Sequence, residues 1–409
     1  MRAPDPVTFE VPMPALTAEC GVRLPEGVLR GWWWGPAREA DRFVRRAVPA
    51  PPVGRVVRRG ADARVAAWTA ASAHERPKED LSAPVVLGVH ALTADAAIGG
   101  PHGWWRPLVG PGRALDPDRV HVLCFNNLGS CYGSLGPGDG GYPCLGRPAA
   151  SEAKGAFALP ADHPAPVGTW DQARALLAGL DALGIHEVRL ATGGSLGGMV
   201  VFALGMLTPR VRAVAPIASS TRSTPWIQGF NHIGRMAILQ DPGWPEAVGP
   251  GLEVARQLAH LSYRAEPGLL ERHGFDAPPG TQLPIQTYLQ HQGRKLRARF
   301  DARAYLTQIA AMDHHDVTRP PPPPESFETW TRSEPWSWDR WTAPCSAIGI
   351  DTDQLYRPEH LRQVVRDLHA RGVSARYREI VSPHGHDAFL IEWDQLNGFL
   401  SEALGERGT

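Results

Sequence analysis

The sequence lacks an excess of charge of either sign, and it lacks long hydrophobic runs. Among its 409 residues, lysine plus arginine and aspartate plus glutamate each number 42, so nothing favours nucleic acid or an anionic membrane surface as a partner. No stretch approaches the ~18 consecutive apolar residues of a membrane-spanning helix, and the first residues include no apolar segment of signal-peptide length. We therefore expect a soluble, cytoplasmic protein that binds neither nucleic acid nor membranes.

Cysteine is also scarce. The five cysteines give no disulfide framework in a chain of this length, and no C-x-x-C pair is present. The glycine-rich stretch 136–146 has no G-x-x-x-x-G-K-[ST] pattern, so it predicts no nucleotide-binding loop. What the chain does have is 43% apolar residues, enough for a large core, and an ordinary 21% of charged residues. Its tryptophans cluster at 31–36, 103–105 and 328–341, where we expect them to anchor packing.

Short apolar runs alternate with helical patterns over much of the chain, as in an α/β fold with a parallel sheet. The runs predict strands over 83–90, 119–127, 187–192, 211–220, 343–350 and 374–381. The intervening patterns predict helices over 170–185, from 358 to 371, and from about Asp387 onward.

Residues 221–335 interrupt this alternation. They show amphipathic helical patterns and little strand character, and they include the proline run 320–324, which cannot continue a helix. We therefore expect an α/β core formed by residues 1–220 and 336–409, with a helical lid, residues 221–335, inserted between its two parts.

One serine stands among glycines where a predicted strand ends. The sequence GGSLG at 193–197 fits G-x-S-x-G, the nucleophile elbow that lifts a serine oxygen clear of a sheet on a sharp turn between strand and helix. An ordinary glycine-rich turn would also satisfy this short pattern.

A nucleophilic serine needs a histidine base and an acid that orients the histidine. In α/β-hydrolase enzymes the order along the chain is serine, acid, histidine. After Ser195, the loop following strand 343–350 offers Asp351 and Asp353, and the loop following strand 374–381 offers His384 and His386. The order is therefore correct. The pattern alone does not choose between the members of each pair, and the histidine loop could also be solvated or weakly metal-binding.

Six separated motifs resemble those of the homoserine O-acetyltransferase family of α/β-hydrolase-fold enzymes. They are HALTADA (90–96), NNLGSCYGSLGP (126–137), GGSLGGM (193–199), YLQHQGRKLRARFDARAYL (288–306), DTDQLYRP (351–358) and GHDAFL (385–390). They occur in the family's order and cover the chain from about residue 80 to the end, while the first ~80 residues are only weakly covered. The resemblance implies the α/β-hydrolase fold, with a mostly parallel sheet and an inserted helical lid.

The resemblance also implies a catalytic triad. Ser195 matches the nucleophile, Asp353 matches the acid that precedes the family's x-Leu-(Phe/Tyr) step, and His386 matches the base. On this alignment Asp351 and His384 have no catalytic role.

Four further residues receive roles from the same resemblance. The backbone N–H groups of Leu92 and Leu196 would form the oxyanion hole, Arg256 would hold the carboxylate of an amino acid, and Asp387 would receive its amino group. Without the resemblance, Arg256 would be interpreted as part of a solvated helix face.

Three positions depart from the family pattern. Ala94 replaces a glycine, Tyr132 replaces a smaller or amide residue, and Leu135 stands in the family's Gly-Ser-Thr-Gly-Pro step. We expect these positions to lie on the acyl-donor side of the pocket, where they bear on substrate identity.

The implied activity is acyl transfer from acetyl-CoA to L-homoserine through an acyl-serine, with ping-pong kinetics, in methionine biosynthesis. The chain would use acyl-CoA as a substrate and need no bound cofactor or metal. The alternatives are a serine O-acetyltransferase or O-succinyltransferase, an esterase of the same fold, and a non-catalytic interaction module. The presence of Arg256 and Asp387 disfavours the esterase because water needs neither, and the complete triad disfavours the module. We also expect a homodimer formed through the lid.

Overall fold

The computed structural model describes residues 6–39, 43, 48–49, 81–137, 139, 142, 144–145, 158–159, 167–274, 278–319 and 341–405. Nine strands of the described residues form one sheet, and we number them in chain order. They are β1 Val7–Met13, β2 Gly27–Trp34, β3 Val48–Pro49, β4 Val85–Val89, β5 His121–Phe125, β6 Leu190–Gly194, β7 Val214–Ile217, β8 Cys345–Ile350 and β9 Ala375–Ile380.

The sheet is mostly parallel, as predicted. Its strand order is β9-β8-β7-β6-β4-β5-β2-β1-β3. The six strands from β4 to β9 pair in parallel, whereas β2, β1 and β3 add an antiparallel edge beside β5. Every residue of β4 to β8 is buried, because helices and loops cover both faces of a parallel sheet.

Helices of the described residues are numbered in the same way. They are α1 Thr169–Ala182, α2 Leu196–Leu207, α3 Pro225–Leu239, α4 Pro250–Ser262, α5 Glu266–His273, α6 Pro284–Arg297, α7 Ala302–Asp313, α8 Pro358–His369 and α9 Trp393–Leu404. The prediction for the last helix was wrong in its start, because Asp387 lies in the 3-10 turn Gly385–Leu390 and α9 begins only at Trp393. None of these helices combines the length and apolarity that crossing a membrane requires.

The predicted helical insertion is confirmed. Helices α3 to α7 lie between β7 and β8 in the chain, and α4 packs against both α3 and α6. The segment that resembles the family's lid helix is divided, since α6 ends at Arg297 and α7 begins at Ala302 with the Asp301 side chain as its N-cap. The proline run 320–324 lies outside the described residues, so the predicted boundary at 335/336 stays a prediction.

The first tryptophan cluster forms β2, which the sequence did not predict. Trp33 stacks on Phe43 with ring centroids 4.6 Å apart, and its indole N–H donates to His121 Nδ1 at 3.0 Å. Trp105 is also buried, whereas its neighbour Trp104 lines the cavity described below. The expected packing role therefore holds for most of the described tryptophans, and residues 328–340 lie outside the described part.

Candidate active site

The turn after β6 has the strained backbone of a nucleophile elbow. Ser195 adopts φ 57° and ψ −124°, and Ala218 is the other non-glycine residue with positive φ in the described part of the chain. Such a conformation costs about 1–3 kcal/mol and persists only when its surroundings hold it. Here a Cβ atom at Gly193 or Gly197 would overlap the carbonyl oxygen of Val89. The glycines therefore let the turn press against the end of β4, which an ordinary surface turn does not need.

Four loops that carry predicted site residues follow parallel strands and so meet at the same edge of the sheet. Leu92 follows β4, Ser195 follows β6, Asp353 follows β8 and His386 follows β9. A cavity of about 630 Å³ lies at this edge, and Leu92, Ser195 and His386 line it together with residues of the lid.

One residue of the acid loop, Asp353, pairs with one residue of the histidine loop, His386. His386 Nδ1 lies 2.7 Å from Asp353 Oδ2, and both side chains are buried. The other Asp353 oxygen accepts hydrogen bonds from the backbone N–H groups of Leu355 and Tyr356 at 2.8 and 2.9 Å. Because Nδ1–H donates to the carboxylate, the lone pair of the neutral imidazole is on Nε2, the atom that can accept a proton. That Nε2 is buried and bonds to no described residue.

The other two candidates, Asp351 and His384, form hydrogen bonds with Ser382 of the histidine loop. Asp351 is exposed, and its carboxylate accepts a hydrogen bond from the backbone N–H of Ser382 at 2.9 Å. His384 is half-buried, does not line the cavity, and donates its backbone N–H to the Ser382 hydroxyl at 3.2 Å. Neither side chain is placed for proton transfer with Ser195. No group of three metal-ligating side chains occurs in the described part of the chain.

Three aromatic rings enclose the His386 imidazole. Tyr356 stacks on it with centroids 5.1 Å apart, and Tyr263 and Phe389 lie at 5.5 and 5.6 Å. Burial raises the pKa of Tyr263 to about 12 and raises the pKa of Tyr356 well above its usual value, so both phenols stay neutral. These rings fix the imidazole plane and limit access of water. Sequence reasoning missed them, although the aromatic residue shortly after the acid was part of the DTDQLYRP motif.

Two backbone donors are available beside the serine. Leu196 is the first residue of α2, so its N–H has no partner within the helix and lies at the positive end of the helix dipole. The backbone N–H groups of Leu92 and Leu196 make no hydrogen bond with another described residue. Both belong to segments that contact Ser195 or line its cavity, which suits an oxyanion hole.

Charged side chains also line the cavity. Arg256 on α4 faces the cavity, with its guanidinium 5.8 Å from the Tyr263 ring centroid, and no carboxylate in the described residues pairs with it. It is therefore not part of a solvated helix face. Asp387 lines the same cavity, but its Oδ2 already pairs with Arg264 Nη2 at 3.0 Å. Arg264 carried no signal in the sequence, because the pairing depends on how the lid meets the core.

The three departures from the family pattern differ in position. Ala94 lines the cavity. Tyr132 does not line it, but its hydroxyl accepts a hydrogen bond from Arg299, a cavity-lining residue that also donates to the Thr93 carbonyl oxygen. Leu135 was wrongly expected beside the pocket. Its side chain packs against Gly27 of β2, because its backbone N–H bonds to the neighbouring residue of that strand.

Comparison with known proteins agrees with this architecture. The protein-family model of the alpha/beta hydrolase fold matches residues 84–392 of this chain. The homoserine O-acetyltransferase of Moorella thermoacetica is 39% identical over 344 residues, which are 78% of this chain and 86% of that protein.

Two solved structures are similar over almost their whole length. The homoserine O-acetyltransferase from Bacillus anthracis superposes with a TM-score of 0.72 at 17% identity, covering 99% of both chains. Esterase E22 superposes with a TM-score of 0.71 at 15% identity, covering 98% of this chain and 100% of the esterase. At such identities both structures show the fold alone. The sequence relationship is more specific, and by it the chain belongs to the homoserine O-acetyltransferase family of enzymes.

Proposed function

We propose that this protein transfers the acetyl group of acetyl-CoA to the side-chain hydroxyl of L-homoserine, a step of methionine biosynthesis. The observation that carries the proposal is that Arg256 and Asp387 line the same cavity as Ser195 and His386. An amino acid brings a carboxylate and an ammonium group that need opposite charges, whereas water needs neither. Acetyl-CoA is a substrate here, and no bound cofactor is required.

The first half-reaction acylates the serine. Ser195 Oγ attacks the thioester carbonyl while His386 Nε2 takes its proton, and the Asp353 carboxylate stabilises the imidazolium that forms. The N–H groups of Leu92 and Leu196 donate to the oxyanion. The C–S bond then breaks, the imidazolium returns the proton to the CoA thiolate, and acetyl-Ser195 remains.

The second half-reaction transfers the acetyl group. The homoserine carboxylate pairs with Arg256 and its ammonium group with Asp387, so that the hydroxyl is directed at the acyl carbon. His386 takes the hydroxyl proton, the oxygen attacks, and the new tetrahedral intermediate releases Ser195 with the proton restored to Oγ. Two half-reactions on one serine predict ping-pong kinetics.

Arg264 has a supporting role in this scheme. It pairs with Asp387 Oδ2, and Oδ1 makes no hydrogen bond with a described residue. The pairing orients the carboxylate while leaving one oxygen for the substrate ammonium.

The test separates transferase from esterase. Intact-protein mass measurement with acetyl-CoA alone should show one acetyl group on the wild type and none on Ser195→Ala. CoA release should then rise when homoserine is added, and rise less with serine, whose hydroxyl is one methylene shorter. Succinyl-CoA in the same assay tests the alternative donor. Equal CoA release with and without a hydroxy amino acid would refute the transferase.

The lid also supports a homodimer. Seven of the nine exposed large apolar side chains of the described residues lie between residues 221 and 335, among them Trp226 at 57%, Ile233 at 55% and Val254 at 50% exposure. Apolar side chains that cluster in this way commonly mark an interface, and homodimers are the commonest assembly. We expect light scattering at micromolar concentration to give the mass of a dimer.

Two broader expectations belong to the same proposal. Residues 1–220 and 336–409 form the core and residues 221–335 the lid, as the helices between β7 and β8 support. The protein acts in the cytoplasm, where acyl-CoA is available. Free thiols at Cys124, Cys131 and Cys345 suit that reducing compartment.

A further inference from the structure

A buried histidine of the lid lines the active-site cavity and has no part in the chemistry above. His260 follows Arg256 by four residues on α4, so both side chains lie on the same face of the helix. His260 is only 5% exposed, and it lines the cavity together with Arg256. Its ring packs between Tyr263 and Tyr288, with centroids 6.1 and 5.9 Å away.

Tyr288 contacts one of the two ring nitrogens of His260. Its hydroxyl lies 3.3 Å from His260 Nδ1, and the Arg272 guanidinium lies over the Tyr288 ring, 5.2 Å from the centroid. Because a cation over the ring favours the phenol as donor, we assign the hydroxyl proton to the contact with Nδ1 and the imidazole proton to Nε2. Nε2 is buried and bonds to no described residue. Buried polar nitrogens nearly always have a partner, and a ligand in the cavity can supply one.

His260 remains neutral. Burial, the largest cause, lowers its pKa to about 2, followed by four nearby cations, Arg256, Arg264, Lys295 and Arg299. A second positive charge beside Arg256 would be repelled by it, whereas a neutral N–H can donate to the same anion. The cavity side of α4 thus presents a fixed cation and a neutral donor one helical turn apart, which suits the two oxygens of a carboxylate.

We propose that His260 is a specificity-determining residue for the acceptor, whose Nε2–H donates to the α-carboxylate that Arg256 holds. The inference rests on the proposed function. A guanidinium alone would bind many anions in several orientations. A second donor from the same helix face fixes the plane of the carboxylate, and with it the direction in which the acceptor hydroxyl points.

The test compares two acceptors and three variants. His260→Leu removes the donor at similar volume, His260→Gln keeps an N–H donor, and Tyr288→Phe removes the hydroxyl that sets the tautomer without touching the cavity. With homoserine, His260→Leu should lower kcat/KM by about 10-fold or more, mainly through KM, as expected for a lost hydrogen bond to a charged group. The other two variants should lose less. Acetyl-Ser195 formation from acetyl-CoA alone should be unchanged in all three.

The second acceptor, 3-amino-1-propanol, lacks the carboxylate. The wild type and His260→Leu should use it with equal kcat/KM. Equal losses with both acceptors in His260→Leu and in Tyr288→Phe, or slower acylation in either variant, would show a structural role and overturn the inference. Absence of any homoserine-dependent CoA release in the wild type would instead refute the proposed function, so the two failures are distinguishable.

Discussion

Replacement of Arg256 by methionine tests whether the lid selects the acceptor. Methionine keeps the unbranched stem and removes the guanidinium, a cavity-lining charge to which no described carboxylate is paired. Removing one member of a buried charge pair typically costs ~2–5 kcal/mol, and about 1.4 kcal/mol corresponds to a tenfold change in equilibrium or rate. Because Arg256 is only half-buried, we take the lower end of that range. Arg256→Met should therefore lower kcat/KM for homoserine by roughly 30-fold.

The first half-reaction provides the internal reference for this variant. The acetyl group reaches Ser195 before any amino acid binds, so the rate of acetyl-Ser195 formation, followed by intact-protein mass after rapid quenching, should stay at the wild-type value. Arg294→Met is the matched control, because Arg294 is an exposed arginine of α6 that does not line the cavity. It should leave both half-reactions unchanged.

One result would contradict the reasoning directly. If Arg256→Met slowed acetyl-Ser195 formation as much as it lowered kcat/KM for homoserine, the guanidinium would act on the acyl donor or on the fold of the cavity. The assignment of Arg256 to the acceptor carboxylate would then be wrong.

Three further changes give separate tests. Asp353→Asn should lower kcat on the order of 10⁴-fold, because backbone donors of its own loop hold the amide oxygen and turn the amide NH₂ toward His386. Asp351→Asn should have little effect, and the reverse ranking of the two variants in steady-state assays would exchange their roles. Glu19→Gln should raise Tm at pH 9 but not at pH 4, because burial and then Asp171 raise the pKa of Glu19 from 4.5 to about 8. Between these pH values the folded wild type binds a proton that the unfolded chain has lost, so its stability falls as pH rises. Equal Tm shifts at both pH values by calorimetry would exclude this linkage. Ile233→Glu should convert the proposed dimer to a monomer in light scattering, and a dimer of unchanged mass would place the interface elsewhere.

The fold was predictable wherever apolar runs coincide with strands. β4 to β8 are buried on both faces and therefore read as continuous apolar sequence. β1 and β2 were not predicted, because each carries a charge in its interior. Glu10 and Arg30 lie opposite each other in the pairing of the two strands and are buried together, with a carboxylate oxygen 3.8 Å from the guanidinium. Only the paired strands show how these charges are tolerated.

The order of the serine, acid and histidine loops along the chain could be predicted from the sequence. Which residue of each loop lies in the site was harder to predict. Parallel strands bring their carboxyl ends to the same edge, so an acid loop and a histidine loop must meet near the serine. Sequence spacing cannot distinguish Asp353 from Asp351, because the distinction depends on the 2.7 Å contact with His386. The contributions of Arg264 and His260 depend on the docking of lid helices over the core, which no local pattern encodes.

In the proposed mechanism, the two half-reactions draw on different parts of the molecule. Attack on the thioester uses groups of the core, namely Ser195, His386 and the loop donors after β4 and β6. Capture of the acceptor is proposed to use Arg256 and His260 from α4 together with Asp387, which pairs with Arg264, the second residue after α4. A change in the lid can therefore alter the second nucleophile while acyl-enzyme formation persists. In this mechanism a core of one fold can serve both hydrolysis and transfer. Without the Arg256 charge, water is the remaining nucleophile for acetyl-Ser195, and with it an amino-acid hydroxyl is held in place to attack first.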